Sequence, residues 1–183
     1  MSVLPEMRLY LESVPLGNHL GLLALVAYIA TLVPTIIRIV FPSFKAHDVV
    51  RWLLKQRRAI GILAFVLAMG HAYFVIRKRN FDFFDFNTYR ASSEGLATLI
   101  IFTILTITSN DWSIKRLKRN WKRLHTLTYA AMFLLTWHIL NKMSGQWTLV
   151  TPIAAIGIIS ITSLFLMRKG AEFQKALAKS SPN

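Results

Sequence analysis

The stretch AIGILAFVLAMGHAYFVI, residues 59–76, runs for eighteen residues without Asp, Glu, Lys or Arg, and it is bracketed by Arg57-Arg58 on one side and Arg77-Lys78-Arg79 on the other. A run of that length and polarity approaches the roughly 20 residues an α-helix needs to cross a hydrocarbon core roughly 30 Å thick. Four more runs follow outward from it, at Leu20–Val40, Gly95–Ser109, Leu124–Leu140 and Thr148–Met167. The run from Gly95 is short and carries Thr98, Thr103, Thr106 and Thr108, whose hydroxyls can donate back to carbonyls of their own helix. Pro34 falls inside the first run, where a membrane helix accepts it with a kink, and Pro152 lies near the start of the last. The expected fold class is all-α: one integral membrane bundle of about five transmembrane helices, in a single domain over residues 1–183.

Composition agrees with this reading. The 183 residues are 54% hydrophobic and 16% charged, with a mean hydropathy of +0.45, too apolar for an ordinary soluble domain. A net charge of +14 on a soluble surface would point to nucleic acid, but the basic residues cluster between apolar runs, so anionic lipid headgroups are the expected partner and nucleic acid is not. There is no cysteine, which removes disulfides, thiolate nucleophiles, iron–sulfur ligation and Cys-based zinc sites. Any metal chemistry falls to histidine. The N-terminus, with Glu6, Arg8 and Glu12, lacks a basic n-region and a small-residue cleavage site, so the first run is expected to stay in the mature protein.

Lys and Arg should concentrate on cytoplasmic loops. Sixteen of the 22 fall after the first run (Arg38 to Arg58), after the third (Lys115 to Arg123) and in the tail from Arg168; the other six lie before the first run, after the second and after the fourth. The N-terminus is therefore expected outside and the C-terminus in the cytoplasm. Trp52, Trp112, Trp121, Trp137 and Trp147 sit near predicted helix ends, as interfacial belts require. The segment Phe81-Asp82-Phe83-Phe84-Asp85-Phe86 alternates aromatic and acidic residues and is read as a loop lying along the outer interface.

Three of the five histidines fall in or at the edge of spans, where ionisable side chains are costly and usually serve a site. His71 lies 13 residues past Arg58, and His138 lies 13 past His125, so on co-directional second and fourth helices His71 and His138 share a depth in the outer half. Two imidazoles from parallel helices are what a six-coordinate b-type heme requires. Gly61, Ala64 and Ala68 leave a smooth strip near His71 that a flat macrocycle or a neighbouring helix can approach. Buried packing histidines and a proton relay account for the same pattern. His125 lies about 20 Å from His138 along an ideal helix, but 13 residues also rotate it by about 220°, so the two do not point the same way without bending. At His125's depth the second helix offers Arg57 and Arg58, natural partners for heme propionates, and the loop offers His47. His19, at the outer end of the first helix, reads as a capping or packing residue.

The sequence Arg57-Arg58, Gly61, Ala64-Phe65, His71, followed by Thr108-Ser109, Leu117, Trp121, Leu124-His125, Leu127, Tyr129 and His138, resembles the ferric reductase-like transmembrane domains, and among them the MsrQ (YedZ) family of heme-binding subunits of protein-methionine-sulfoxide reductase systems. The resemblance covers about Leu20 to Met167. It implies b-type heme, one or two per chain, with His71 and His138 as iron ligands, His125 on the inner side and Arg57 and Arg58 near the cofactor; it also admits FMN. The first heme helix of such relatives carries two histidines, and here Arg57 stands at the inner position. They also usually have one more hydrophobic segment in front.

Relatives of this kind fuse a cytoplasmic flavin and nicotinamide domain to the membrane core, and no glycine-rich phosphate-binding turn occurs in this sequence. The expected function is an electron-transfer subunit of a bacterial inner (plasma) membrane rather than a complete enzyme. Electrons would come from a separate flavin reductase or quinol and leave to an external acceptor, in the MsrQ-like case a periplasmic molybdopterin oxidoreductase. The rivals are ferric or oxygen reduction at the outer heme, and a heme-free transporter or structural subunit with a histidine proton relay.

Overall fold

A computed structural model describes residues 15–79, 86–143 and 150–180. Long helices α1 (Leu16–Val40), α2 (Asp48–Arg79) and α3 (Phe86–Ile107) are followed by two short ones, α4 (Asp111–Leu117) and α5 (Arg119–Leu124), and then by α6 (Leu127–Met143) and α7 (Val150–Ser180). A 3-10 turn, Pro42–Ala46, joins α1 to α2, and the described residues contain no strand. The Phe81–Phe86 segment and Trp147 lie outside the described residues except for Phe86, which opens α3.

The helices outrun their apolar cores. α2 starts more than two turns before Ala59, with Asp48 in its first turn where a carboxylate suits the helix dipole. α1 passes through Pro34 without a break. Three helices, Leu16–Val40, Asp48–Arg77 and Val150–Ala178, are long and apolar enough to cross a bilayer, and Ser93–Ile107 with Asp111–Leu117, bent by 92°, forms a fourth if taken as one span. α6 has 17 residues, about 26 Å of helix, just short of the hydrocarbon thickness.

The bend after α3 has a local cause. Ser109 Oγ donates to the Leu105 carbonyl at 2.6 Å, closing the helix, and Asn110 Oδ1 accepts from the Ser113 amide at 2.7 Å, opening the next. Lys118, at φ 47°, then turns the chain between α4 and α5, the one described non-glycine residue in the left-handed region. Earlier in α3, Thr98, Thr103 and Thr108 donate to the carbonyls four residues back at 2.7–2.8 Å, so their hydroxyls cost the span no unpaired polar group.

The five long helices pack in a cycle. α1 lies against α2, α2 more lightly against α3, α3 against α6, α6 against α7, and α7 returns to α1. Lipid gives helices little hydrophobic reason to associate, so close packing has to hold them together. Small residues make it: Ala24, Ala64, Ala131 and Ala155 are buried on α1, α2, α6 and α7, and Thr98 on α3. Gly61 faces Thr31 of α1, so the strip of Gly61 and Ala64 serves α1–α2 contact. The large apolar side chains point the other way, among them Leu23, Val26, Leu63, Val66, Ile100, Phe133 and Ile156, each more than 45% exposed. That outward apolar face is what lipid requires and water would penalise. Across the middle of the cycle, Tyr28 of α1 sits 5.1 Å from Phe102 of α3 and donates its hydroxyl to the Thr128 carbonyl of α6.

Candidate functional site

The Tyr28–Phe102 pair provides a ruler. α1 and α3 run in the same direction, since each packs antiparallel to α2. Gly21 and Gly95 each precede that pair by seven residues, about 10 Å along their helices. His71 of α2 lies over Gly21, and His138 of α6 lies over Gly95. The two histidines therefore stand at one level, on helices that do not adjoin in the cycle.

Both rings rest on backbone. A methyl at Gly21 would come 2.9 Å from His71 Nδ1, and one at Gly95 would come 3.0 Å from His138 Cε1, so neither position admits a side chain with the ring where it is. His71 Nδ1 also donates to the Gly17 carbonyl oxygen at 2.7 Å. A carbonyl only accepts, so the proton is on Nδ1 and, in the neutral ring, the lone pair is on Nε2. One turn beyond His138, Asn141 Nδ2 donates to Glu94 Oε1 at 2.9 Å, fastening α6 to α3 at the same end.

The opposite level lies six or seven residues past the Tyr28–Phe102 pair. There Arg57 Nη1 donates to Thr35 Oγ1 at a long 3.4 Å, and His125 Nε2 approaches Thr108 Oγ1 at 3.4 Å. His125 is not inside α6. It caps α5, in the turn ahead of Leu127, because its amide completes that helix by donating to the Trp121 carbonyl at 3.0 Å. Its ring lies against the Trp121 indole, tilted by 31° with centroids 4.0 Å apart, while Trp121 Nε1 donates to the Thr108 carbonyl at 2.9 Å. Arg57 is half-buried, and its bond to Thr35 places it at the same level as His125. We call these the glycine level and the tryptophan level.

The remaining candidates separate from this pattern. Arg58 donates to Asp111 Oδ1 of α4 at 2.7 Å on the surface. His47 is exposed at the end of the 3-10 turn, its ring 6.3 Å from Phe44, and His19 is exposed on α1. Trp52, Trp112 and Trp137 are exposed as interfacial residues would be, but Trp121 is a structural partner of His125. Reading for histidines in or at the edge of apolar runs found His71, His138 and His125. It missed Gly17, Gly21 and Gly95 as partners, because they lie on other helices, at or near the starts of the first and third apolar runs.

Comparison with known proteins follows this geometry. Residues 20–136 match the family described as ferric reductase like transmembrane component. The chain belongs to this family. It is an integral membrane protein, as the outward apolar faces and the transmembrane family require. It is 33% identical over 132 residues to the protein-methionine-sulfoxide reductase heme-binding subunit MsrQ of Brucella anthropi, covering 69% of this chain and 59% of that protein. To the protein of the same name from Rhizobium meliloti it is 38% identical over 116 residues, covering 61% of this chain and 50% of the relative. The chain thus spans between half and three fifths of these two relatives' length. No solved structure matches it.

The residues present fit the group those relatives are named for. A heme needs two axial ligands rather than a cluster, and an imidazole serves best when its far nitrogen is held by a carbonyl. His71 meets that condition through Gly17, and the glycines at 21 and 95 let both rings lie close to their neighbouring helices.

Proposed function

We propose that the protein is the heme-binding membrane subunit of an electron-transfer system, with His71 and His138 as the axial ligands of a b-type heme at the glycine level. The observation that carries this reading is the pair of half-buried imidazoles at one depth, one of them fixed by a backbone carbonyl. Heme, when bound, supplies one-electron chemistry at a potential set by its ligands and their surroundings. The chain's own residues do the rest. The Nδ1–H bond to Gly17 orients His71 and raises the basicity of Nε2. The α1–α3 core below the site, centred on Tyr28 and Phe102, keeps the level apart from the opposite surface.

The charge pattern supports an inner-membrane orientation with the glycine level outside and α4, α5 and the tail in the cytoplasm, and α6 as the fifth, shortest span. In that orientation Arg57 and His125 form the cytoplasmic level, roughly 20 Å from the other. Arg57 there suits a propionate or a donor's anionic group, since Arg58 is engaged by Asp111. Electrons enter at this side from a separate flavin reductase or quinol and leave at the glycine level to a periplasmic acceptor, for which the named relatives point to a methionine sulfoxide reductase.

The test is a dithionite-reduced minus oxidised spectrum of the purified chain, with heme counted per polypeptide. His71→Ala and His138→Ala should each abolish the outer signal, and His125→Ala should keep it. A colourless preparation, or an unchanged spectrum in both outer variants, overturns the reading.

A further inference from the structure

The elbow between α1 and α2 has a chemistry that the histidine levels do not use. A cleft of about 610 Å³ opens there, lined by Arg38, Lys45 and Arg51 together with Pro42, Ser43 and Leu54. It continues into a second hollow of about 490 Å³ that shares Arg38, Lys45 and Leu54 and adds Thr35 and Ile39. No carboxylate lines either part. Arg38 Nε is buried and has no hydrogen-bond acceptor. A buried cationic donor left unpaired is costly, and the usual remedy is an anion. Asp48 holds Arg51 at 3.7 Å with both side chains mostly exposed, a contact that yields cheaply to a better partner.

The surroundings say what kind of anion. Phe41, Phe44, Val49 and Trp52 flank the cleft and are each more than 40% exposed. Aromatic side chains at a helix end mark the headgroup layer of a membrane. The cleft is therefore a cationic mouth at headgroup depth with an apolar floor of Ile39 and Leu54. We propose that it binds one anionic phospholipid, the phosphate held by Arg38, Lys45 and Arg51 and the glycerol and first acyl carbons lying on Ile39 and Leu54. The same cations suit any phosphate, but a soluble one would leave the apolar floor uncovered. The proposal is independent of heme: it needs only that the elbow sits in a bilayer.

The full chain, purified in a zwitterionic detergent, is titrated with phosphatidylglycerol, with phosphatidylcholine of the same acyl chains, and with inorganic phosphate. Retained lipid is read by native mass spectrometry and protection by the melting temperature. One phosphatidylglycerol per chain should bind about thirtyfold more tightly than phosphatidylcholine. Lys45→Gln/Arg51→Gln, which alters only the exposed rim and keeps Arg38 with its buried Nε, should erase that preference with helical content unchanged. Arg38→Gln should do the same, but the rim variant decides should the buried change disturb folding. Arg119→Gln/Lys122→Gln removes equal charge from α5 and should leave the preference intact. Equal losses in both double variants mean a diffuse field and overturn the site. So does an absent preference for phosphatidylglycerol, and so does protection by inorganic phosphate that matches the lipid.

Discussion

At the glycine level His71 and His138 lie on bare backbone, whereas at the tryptophan level His125 is wedged between an indole ring and a threonine hydroxyl. The two arrangements solve different problems. A ring resting on glycine approaches the helix behind it closely, and the Gly17 carbonyl turns the ring nitrogens of His71 without adding bulk. A ring clamped by Trp121 and Thr108 contributes to holding the α3 end, α5 and the start of α6 together. The first suits a ligand, where space beside the ring must be kept. The second suits a joint, where space is filled. Position in a helix separates them too: His71 and His138 are mid-helix, while His125 caps a six-residue helix.

The comparison breaks most readily at Gly21 and Gly95. Adding one carbon at Gly21 forces His71 to move, because the new atom would meet its ring at 2.9 Å. Displacing a ligand or its orienting partner typically weakens metal affinity by about 10- to 100-fold. Gly21→Ala should therefore weaken heme affinity by about that factor in a heme titration, and Gly95→Ala somewhat less. Gly170→Ala is the control, since a methyl there meets nothing within 4 Å, and it should raise the melting temperature slightly through helix propensity. Full heme retention in Gly21→Ala would remove the glycine level's claim to be a built site.

Between the levels stands Tyr28, 3% exposed, whose hydroxyl donates to the Thr128 carbonyl. Tyr28→Phe removes that bond while the Thr128 carbonyl keeps its place in the α6 ladder, at a cost of about 1 kcal/mol. The expected result is a lower melting temperature with an unchanged absorption spectrum. A changed spectrum would mean that the core and the glycine level are not separable. Trp121→Phe is similar in size: it keeps an aromatic ring under His125 and loses the bond to Thr108, about 1 kcal/mol, or roughly 2–4 °C for a chain of this size. Heme loss equal to that of Gly21→Ala would erase the distinction between a ligand site and a joint.

How much of this was legible in the sequence depends on whether the signal was local. The all-helical architecture follows from apolar run length, and each expected run lies largely within one of the long helices apart from the ends that turn chemistry sets. His125 illustrates such an end: hydropathy carries the run back to Leu124, but Trp121 and Thr108 capture the ring and α6 starts only at Leu127. The depth of His71 relative to His138 is a matter of counting, and the structural ruler through Tyr28 and Phe102 reaches the same equality by a different route. What counting does not reveal is the partner. Gly61 and Ala64 suited either a macrocycle or a neighbouring helix, and it is α1 that their face meets. Which glycine receives which histidine depends on helix adjacency, and adjacency is not written in any one helix. The pairing of Arg58 with Asp111, 53 residues away, is hidden for the same reason.

That last pair gives the smallest effect and the one with a defined pH sign. The hydrogen bond and charge of Arg58 hold the Asp111 carboxyl below the usual carboxylate range. A carboxyl so lowered stabilises the folded chain at pH values above its unfolded value, and the contribution disappears as pH falls through the lowered folded value. Both side chains are largely exposed, so solvent screens the pair and the tie of α2 to α4 is weak. Asp111→Asn should therefore melt about a degree or two below the parent at pH 7, and the two should converge as pH falls through the lowered folded value of Asp111. Raising salt at pH 7 should close the same gap. A difference that persists at low pH would show that Asp111 acts through something other than its charge, and the tie to Arg58 would not be what holds α2 to α4.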